Sequence, residues 1–155
     1  MEYREMRRRD RQLANEESVR ILNETFWGTL SLSDENNRPY GVMICHAYED
    51  NKLYFHCATD GFKLDIIKKN PQCCFVVTLN PKFLKMKATV KYESVCAFGT
   101  IKIADAAEKG KGYRIFNERY LGDVPEIITA NMKTGAKKSH VLIMTIDHMT
   151  GKHND

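Results

Sequence analysis

Residues 52–71, KLYFHCATDGFKLDIIKKNP, decide the fold because they predict a strand, a tight break and a short helix in succession. The apolar run Lys52–Ala58 is typical of a strand, and Thr59-Asp60-Gly61 interrupts it. The helix follows over 62–70, with apolar residues at helical spacing, and Asn70-Pro71 ends it. Thr59 or Asp60 is the predicted cap of this helix.

The junction between this strand and this helix is the strongest chemical feature of the sequence. A helix N-terminus supplies free N–H groups and partial positive charge, Gly61 lets the backbone approach a ligand closely, and Lys63 adds a full charge. These features fit a phosphate site, but a glycine and a lysine at the start of a helix are also common in an ordinary capped helix. His56, in phase with Tyr54 and Ala58, could give a proton or hydrogen bond to a bound ring, or it could simply bond to the backbone. His46 presents the same two alternatives.

The segments on either side of this unit predict a mainly β, α+β fold. The predicted strands are Trp27–Ser33, Tyr40–Tyr48, Lys52–Ala58, Gln72–Leu79, Lys91–Ala104 and His140–Asp147; helices are predicted near Asn15–Thr25, 62–70 and 106–121. Residues 80–90 are predicted to be a lysine-rich loop, and Gly99 a bulge or bend. Six strands mainly in hairpin order indicate a six-stranded antiparallel β-barrel, closed or split, with a few peripheral helices. A doubly wound sheet would need helices between most strands.

Length and composition favour one ordered domain over 1–155, with a charged N-terminal arm over 1–14. The 155 residues are 43% hydrophobic and 28% charged, which excludes a disordered chain. Since no apolar run approaches the roughly 18–20 residues of a membrane span, and the N-terminus has no secretory pattern, we expect a cytoplasmic protein without a membrane partner. The five cysteines are then expected to be reduced thiols.

Positive charge is concentrated between residues 63 and 91, where seven lysines face the single acid Asp65, a local net charge of +6. Such a stripe could attract an anion, or it could be a solvated face. Nucleic acid is not the expected partner, because the sequence has no recognised nucleic-acid module and its aromatic residues lie in strand-like runs.

A metal site is not predicted either. The adjacent pairs Cys45-His46 and His56-Cys57 would point to opposite faces of their strands, and no zinc-ligand spacing is present. Of the pair Cys73-Cys74, one thiol is expected to be buried and the other to face the opposite side of the sheet. The sequence also lacks a nucleophile elbow, a P-loop and a dinucleotide fingerprint.

The order of these segments resembles a known family over residues 6–152. The matching motifs are Met6–Arg11, Trp27-Gly28-Thr29-Leu30, Arg38–Val42, Tyr54–Ala58 with Gly61-Phe62-Lys63, Lys69-Asn70-Pro71, Tyr92–Val95 with Gly99, and Thr150-Gly151-Lys152. Together they resemble the pyridoxamine 5′-phosphate oxidase-related split-barrel proteins that bind FMN, and specifically the 5-nitroimidazole antibiotic-resistance branch.

The resemblance implies a homodimer that holds FMN at the subunit interface. Gly61 and Lys63 would contact the flavin phosphate, and the backbone of Val42-Met43-Ile44 would follow the ring and ribityl chain. His56, Cys57 and Ala58 would line the cofactor, with His56 as the catalytic residue, while Ser94 and Val95 would approach from later strands. The family often has proline at the place of Met43, and asparagine with an aromatic residue at Cys45-His46.

By the same resemblance, reduced FMN would pass electrons to a small oxidised substrate such as a nitro-aromatic compound, with a proton from His56 or His46. One alternative is a non-catalytic flavin- or haem-binding split barrel, in which His46, His56 or His140 could be the axial ligand of a haem. A deazaflavin in place of FMN is a further alternative.

Overall fold

A computed structural model describes residues 3–122, 124, 126–129 and 138–155. Of the predicted arm, residues 1 and 2 therefore lie outside the described part, as do 123, 125 and 130–137 of the predicted domain. The strands are β1 (Gln12–Leu13), β2 (Trp27–Ser33), β3 (Pro39–Glu49), β4 (Lys52–Ala58), β5 (Gln72–Leu84), β6 (Thr89–Ile103) and β7 (Ser139–Asn154). The helices are α1 (Asn15–Glu24), α2 (Phe62–Lys69) and α3 (Ala106–Leu121).

The strands form one antiparallel sheet in the order β1-β7-β4-β3-β2-β5-β6, and β6 pairs again with β7. This last pairing closes the six long strands into a barrel. It is made possible by the 16-residue length of β7, in which residues 139–145 pair with β4, residues 142–154 pair with β6 and residues 151–152 pair with β1. The predicted mainly β barrel with peripheral helices is confirmed, and the short β1 adds a seventh strand.

The main hydrophobic core fills the barrel. Alternating residues of the strands point inward, so that Leu30, Leu53, Phe55, Phe75 and Met144 are fully buried. A second, smaller cluster lies outside the barrel, where Tyr113 and Ile115 of α3 cover Tyr54 of β4 and Val141 of β7. Helix α3 therefore packs over the outer face of β4, directly beside His56.

Some boundaries differ from the sequence prediction for physical reasons. The predicted loop over 80–90 is largely wrong, because β5 and β6 continue as a paired hairpin closed by a short turn at Lys85–Lys87. Strand β7 continues past Asp147 since β6 and β1 supply pairing partners there. Neither predicted side-chain cap of α2 is used, because Gly61 occupies the N-cap position.

The predicted irregularity at Gly99 is confirmed. The register between β6 and β7 shifts between Phe98 and Gly99, which is a β-bulge. A Cβ at Gly99 would lie 1.9 Å from the carbonyl oxygen of Thr145, so only glycine fits this approach of β6 to β7. Within the described residues, no helix is long and apolar enough to cross a membrane.

Candidate cofactor-binding site

A pocket of about 520 Å³ opens where β3, β4, the start of α2 and one face of α3 meet. Its lining residues are Phe26, Trp27, Val42, Met43, Ile44, Cys45, His56, Cys57, Ala58, Lys63, Phe116 and Tyr120. Seven of the ten residues predicted to hold a cofactor are in this set, from three separate segments of the chain. The lining is mostly apolar with a few polar groups, as is usual for a small-molecule site.

One end of the pocket carries the positive charge. Lys63 lies in the first turn of α2, and Gly61 before it has a φ of 139°, a conformation that favours glycine. A Cβ at Gly61 would lie 3.8 Å from the Lys63 Nζ, so the lysine folds back towards the helix N-terminus. Gly61 and Lys63 therefore form one corner, at which the backbone and the ammonium group converge.

Lys63 differs from its neighbours in how its charge is balanced. On the same helix, Lys69 pairs with Glu35 at 2.6 Å and Lys68 approaches Asp65 at 4.0 Å. Lys63 makes no ion pair with any residue in the part of the chain that the structure describes. Its charge is therefore available to an anionic ligand in the pocket.

His56 also lines the pocket, next to α3. Its Nε2 is 3.1 Å from the hydroxyl of Tyr113, which also contacts the hydroxyl of Ser139. The ring is flanked by Tyr113 and Phe116, with centroid distances of 5.4 and 6.3 Å. Desolvation here, together with the charge of Lys109, lowers the pKa of His56, so the imidazole is neutral at neutral pH.

His46 does not reach the pocket. Its side chain is fully buried inside the barrel against Phe75, and its Nε2 lies 3.0 Å from the carbonyl oxygen of Leu22. Burial lowers the pKa of His46 to about 4. The alternative in which His46 donates a proton to a pocket ligand is therefore wrong, because the strand turns this side chain into the core.

Ser94 and Val95 do not line the pocket either. Val95 points into the barrel with Ala97 and is almost completely buried, so its side chain cannot contact a ligand in this pocket. Ser94 lies across from Thr78 of β5, and Thr78 borders a second depression of about 530 Å³. The two depressions share Phe26, Trp27 and Met43. Within one chain, Ser94 and Val95 lie away from this pocket, and their contact with the cofactor stays a prediction.

Five residues that line the pocket were not among those predicted to hold the cofactor: Phe26, Trp27, Cys45, Phe116 and Tyr120. Phe116 and Tyr120 are four residues apart on α3, a spacing that places both on one helix face, but the sequence does not show which strand that face covers. Phe26 enters the pocket from the link between α1 and β2. The thiol of Cys45 also lines the pocket, and burial raises its pKa, so it is not a thiolate.

Cys57 is likewise a protonated thiol. Burial raises its pKa, and the nearby charge of Lys63 only partly opposes this effect. In the described part of the chain, no three His, Cys, Asp or Glu side chains lie close enough together to hold a metal ion. The chemistry of the pocket thus depends on a neutral imidazole, on an ammonium group that has no ion pair among the described residues, and on apolar walls.

Residues 14–153 match the family model described as pyridoxamine 5′-phosphate oxidase. The chain belongs to the pyridoxamine 5′-phosphate oxidase family. This confirms the family that the order of motifs predicted. A search of curated proteins by sequence finds no match.

Solved structures with the same fold are widely diverged from this chain. A proposed 5-nitroimidazole antibiotic resistance protein from Bacteroides thetaiotaomicron is 21% identical, with a TM-score of 0.75 over 92% of this chain and 86% of that chain. A FAD-binding protein from Mesorhizobium loti is 18% identical, with a TM-score of 0.71 over 94% and 98% of the two chains. A FAD and heme binding protein from Mycobacterium smegmatis is 19% identical, with a TM-score of 0.75 over 94% and 74%. At these identities the likeness establishes the split-barrel fold.

Proposed function

We propose that this chain is a flavoprotein that binds FMN in the pocket between β3, β4, α2 and α3 and reduces a small oxidised substrate. The supporting observation is Lys63, which makes no ion pair with any other described residue and lies beside Gly61 at one end of a mostly apolar pocket. A ligand that fits both the apolar walls and the corner at Gly61 and Lys63 has a flat apolar ring and an anionic tail. FMN has this shape, and family membership makes a flavin the expected cofactor.

The anionic tail of the ligand lies at the α2 N-terminus in this proposal. The backbone at Gly61 approaches the phosphate, and the ammonium group of Lys63 neutralises part of its charge. The ring lies along β3, where Val42 and Ile44 supply apolar contact, and against the aromatic side chain of Trp27.

The bound flavin would supply the electron transfer, as the cofactor does in such enzymes. The protein contributes orientation and a proton. Tyr113 holds the ring of His56 through the 3.1 Å hydrogen bond, so that the imidazole faces the pocket in one orientation. We assign the delivery of the proton to His56; because its pKa is lowered, only a minor fraction of the imidazole is protonated at neutral pH, and proton delivery should increase as the pH falls. The two pocket thiols are weaker acids, since burial raises their pKa values.

We also propose a homodimer that covers the open side of the pocket. Phe26, Trp27 and Met43 border both depressions, and their side chains are 61%, 46% and 49% exposed. Large apolar side chains grouped at the mouth of a pocket indicate an interaction surface. In such a dimer the second depression, beside Ser94, would face the flavin of the partner subunit.

The substrate proposed is a small oxidised molecule such as a nitro-aromatic compound. The support is the family and the structural likeness to the Bacteroides protein named for 5-nitroimidazole resistance. Two other relatives are named for binding FAD, one of them together with haem. The visible spectrum of the purified protein, followed by release and chromatography of the chromophore, distinguishes FMN, FAD, a deazaflavin and haem.

The phosphate corner is tested by comparing FMN with riboflavin, which lacks the phosphate. Lys63→Met should raise the Kd for FMN roughly 10- to 150-fold, because a hydrogen bond to a charged group contributes about 1.5–3 kcal/mol. The Kd for riboflavin should not change. Lys68→Met is the matched control, since Lys68 is on the same helix but does not line the pocket. Equal effects of Lys63→Met on both ligands would contradict the assignment of the phosphate.

A further inference from the structure

Cys74 and Cys96 form a pair of thiols on the outer face of the barrel. Their Sγ atoms are 3.4 Å apart, and both residues are partly exposed. Cys74 is opposite Phe98 and Cys96 is opposite Val76, so the two cysteines are diagonal neighbours on β5 and β6. Neither lines the pocket proposed for the flavin.

Strand alternation explains why these two thiols meet. Cys73 and Phe75 point into the barrel, so Cys74 between them points outward. Val95 and Ala97 likewise point inward, so Cys96 points outward to the same face. Strand alternation places the adjacent Cys73 and Cys74 on opposite faces of β5. The register between β5 and β6 then places Cys74 next to Cys96, which is 22 positions later in the sequence.

We propose that Cys74 and Cys96 are a redox-active dithiol that reacts with hydroperoxides and closes to a disulfide between β5 and β6. A disulfide needs an S–S separation of about 2.05 Å, so the sulfurs must approach by roughly 1.4 Å. Diagonal neighbours on paired strands lie about 7–8 Å apart, which is at the upper limit of what a disulfide spans. Closing the bond therefore requires rotation of both side chains and a small approach of β5 to β6.

The pair is also chemically asymmetric. The hydrogen-bond contact between the two thiols raises the pKa of Cys74, to which burial adds, and lowers the pKa of Cys96, which burial partly opposes. The pKa values of the other three cysteines are all raised by burial, that of Cys73 to about 12. Since the thiolate is the nucleophilic form, Cys96 is the cysteine suited to attack.

The reaction balances with one peroxide for each pair. The Cys96 thiolate attacks one oxygen of the peroxide, the O–O bond breaks, and Cys96 becomes a sulfenic acid while the other oxygen leaves as water or alcohol. The sulfur of Cys74 then attacks the Cys96 sulfur. The S–S bond forms, the S–O bond breaks, and the hydroxide leaves as water with the proton of Cys74. Two thiols supply the two electrons, and a dithiol reductant reverses the step.

A surface depression gives a small oxidant access to the Cys74 side of the pair, and the Cys96 sulfur lies 3.4 Å beyond the sulfur of Cys74. Cys74 lies in a hollow of about 410 Å³ that is also lined by Gln72, Phe98 and Tyr3 of the N-terminal segment. The ring of Tyr3 rests on Phe98 with a centroid distance of 5.3 Å. The hollow is shallow and has both polar and apolar walls, which suits a small hydroperoxide.

The experiment treats reduced full-length protein with hydrogen peroxide, blocks the remaining thiols with an alkylating agent and measures the intact mass. We expect the loss of two alkylatable thiols and two hydrogens per chain, reversed by dithiothreitol. After digestion with trypsin under non-reducing conditions, the peptides 70–82 and 92–102 should be recovered joined by a disulfide. Three alkylated thiols should remain in each chain.

Variants identify the cysteines. Cys74→Ser and Cys96→Ser should each abolish the linked peptide, and Cys74→Ser should leave Cys96 to progress to the sulfinic acid. Cys73→Ser is the matched control, because Cys73 is in the same peptide but its thiol donates to the Gly99 carbonyl inside the barrel. Any one of three results would overturn the proposal. They are a linked peptide that persists in Cys74→Ser, a disulfide that forms only between two chains, and five unreacted thiols per chain after treatment with peroxide.

Discussion

The fully buried His46 makes the stability of this protein depend on pH in a defined way. Its imidazole is inside the barrel, with Nε2 donating to the Leu22 carbonyl and Nδ1 without a partner among the described residues. Burial holds its pKa near 4, against 6.5 for an exposed histidine. The unfolded chain therefore binds the proton more tightly, and protonation favours unfolding.

The size of the effect follows from these two pKa values. Above pH 6.5 the histidine is neutral in both states and does not change the free energy of unfolding. As the pH falls below 6.5 the unfolded state gains its proton first, so stability is lost. The expected loss is about 2 kcal/mol by pH 5 and about 3 kcal/mol by pH 4, where the folded state also begins to bind the proton.

The assay is urea denaturation of the wild type and of His46→Gln over this pH range. Glutamine keeps an N–H that can reach the Leu22 carbonyl but does not titrate. The difference in the free energy of unfolding between the wild type and the variant therefore changes with pH only through His46, because the carboxylates contribute equally to both proteins. The variant should be less stable than the wild type at pH 7, and the difference should shrink by about 2 kcal/mol at pH 5. A difference that stays constant with pH would refute the assignment of His46 as a neutral core residue.

Two further predictions concern the proposed proton donor and the bulge. His56→Gln should lower the turnover of a bound substrate about 100-fold or more while changing the Kd for FMN far less. The lowered pKa of His56 means that wild-type turnover should rise as the pH falls below 6.5, and stopped-flow reoxidation of the flavin should show no such rise in the variant. Gly99→Ala should destabilise the protein by about 3 kcal/mol or more in urea denaturation, because its Cβ would overlap the Thr145 carbonyl. Gly110→Ala, on an open helix face, should instead stabilise it by about 1 kcal/mol.

Strand positions could be predicted from the sequence because alternation reports burial directly. The run 40–48 places Tyr40, Val42, Ile44 and Tyr48 against the core, as its pattern indicates. The extension of β5 to Leu84 could not be predicted in this way, since Lys82 and Phe83 are both exposed and only pairing with β6 makes them a strand. Burial patterns miss a strand whose two faces both contact solvent.

The candidate site was predictable where one segment supplies it and not where distant segments meet. The unit from His56 to Lys63 carries its own signal, because a strand, a glycine and a lysine follow one another in sequence. The contribution of α3 depends on how that helix packs. A capping box between Asp105 and Glu108 shows where α3 starts, but only the contact with Tyr54 and Val141 turns Phe116 towards His56.

The same distinction applies to the basic stretch between residues 63 and 91, because the structure shows which of its lysines lines the pocket. The stripe of seven lysines is one feature in the sequence, but the structure divides it into groups with different surroundings. Lys68 and Lys69 lie beside carboxylates, Lys91 pairs with Asp155 at 3.4 Å, and the lysines of the β5–β6 hairpin face solvent. Lys63 alone among the seven lines the pocket. If the net charge of the stripe held the ligand, removing any of these lysines would weaken FMN binding by similar small amounts that salt suppresses. Geometry predicts instead that the loss is concentrated at Lys63.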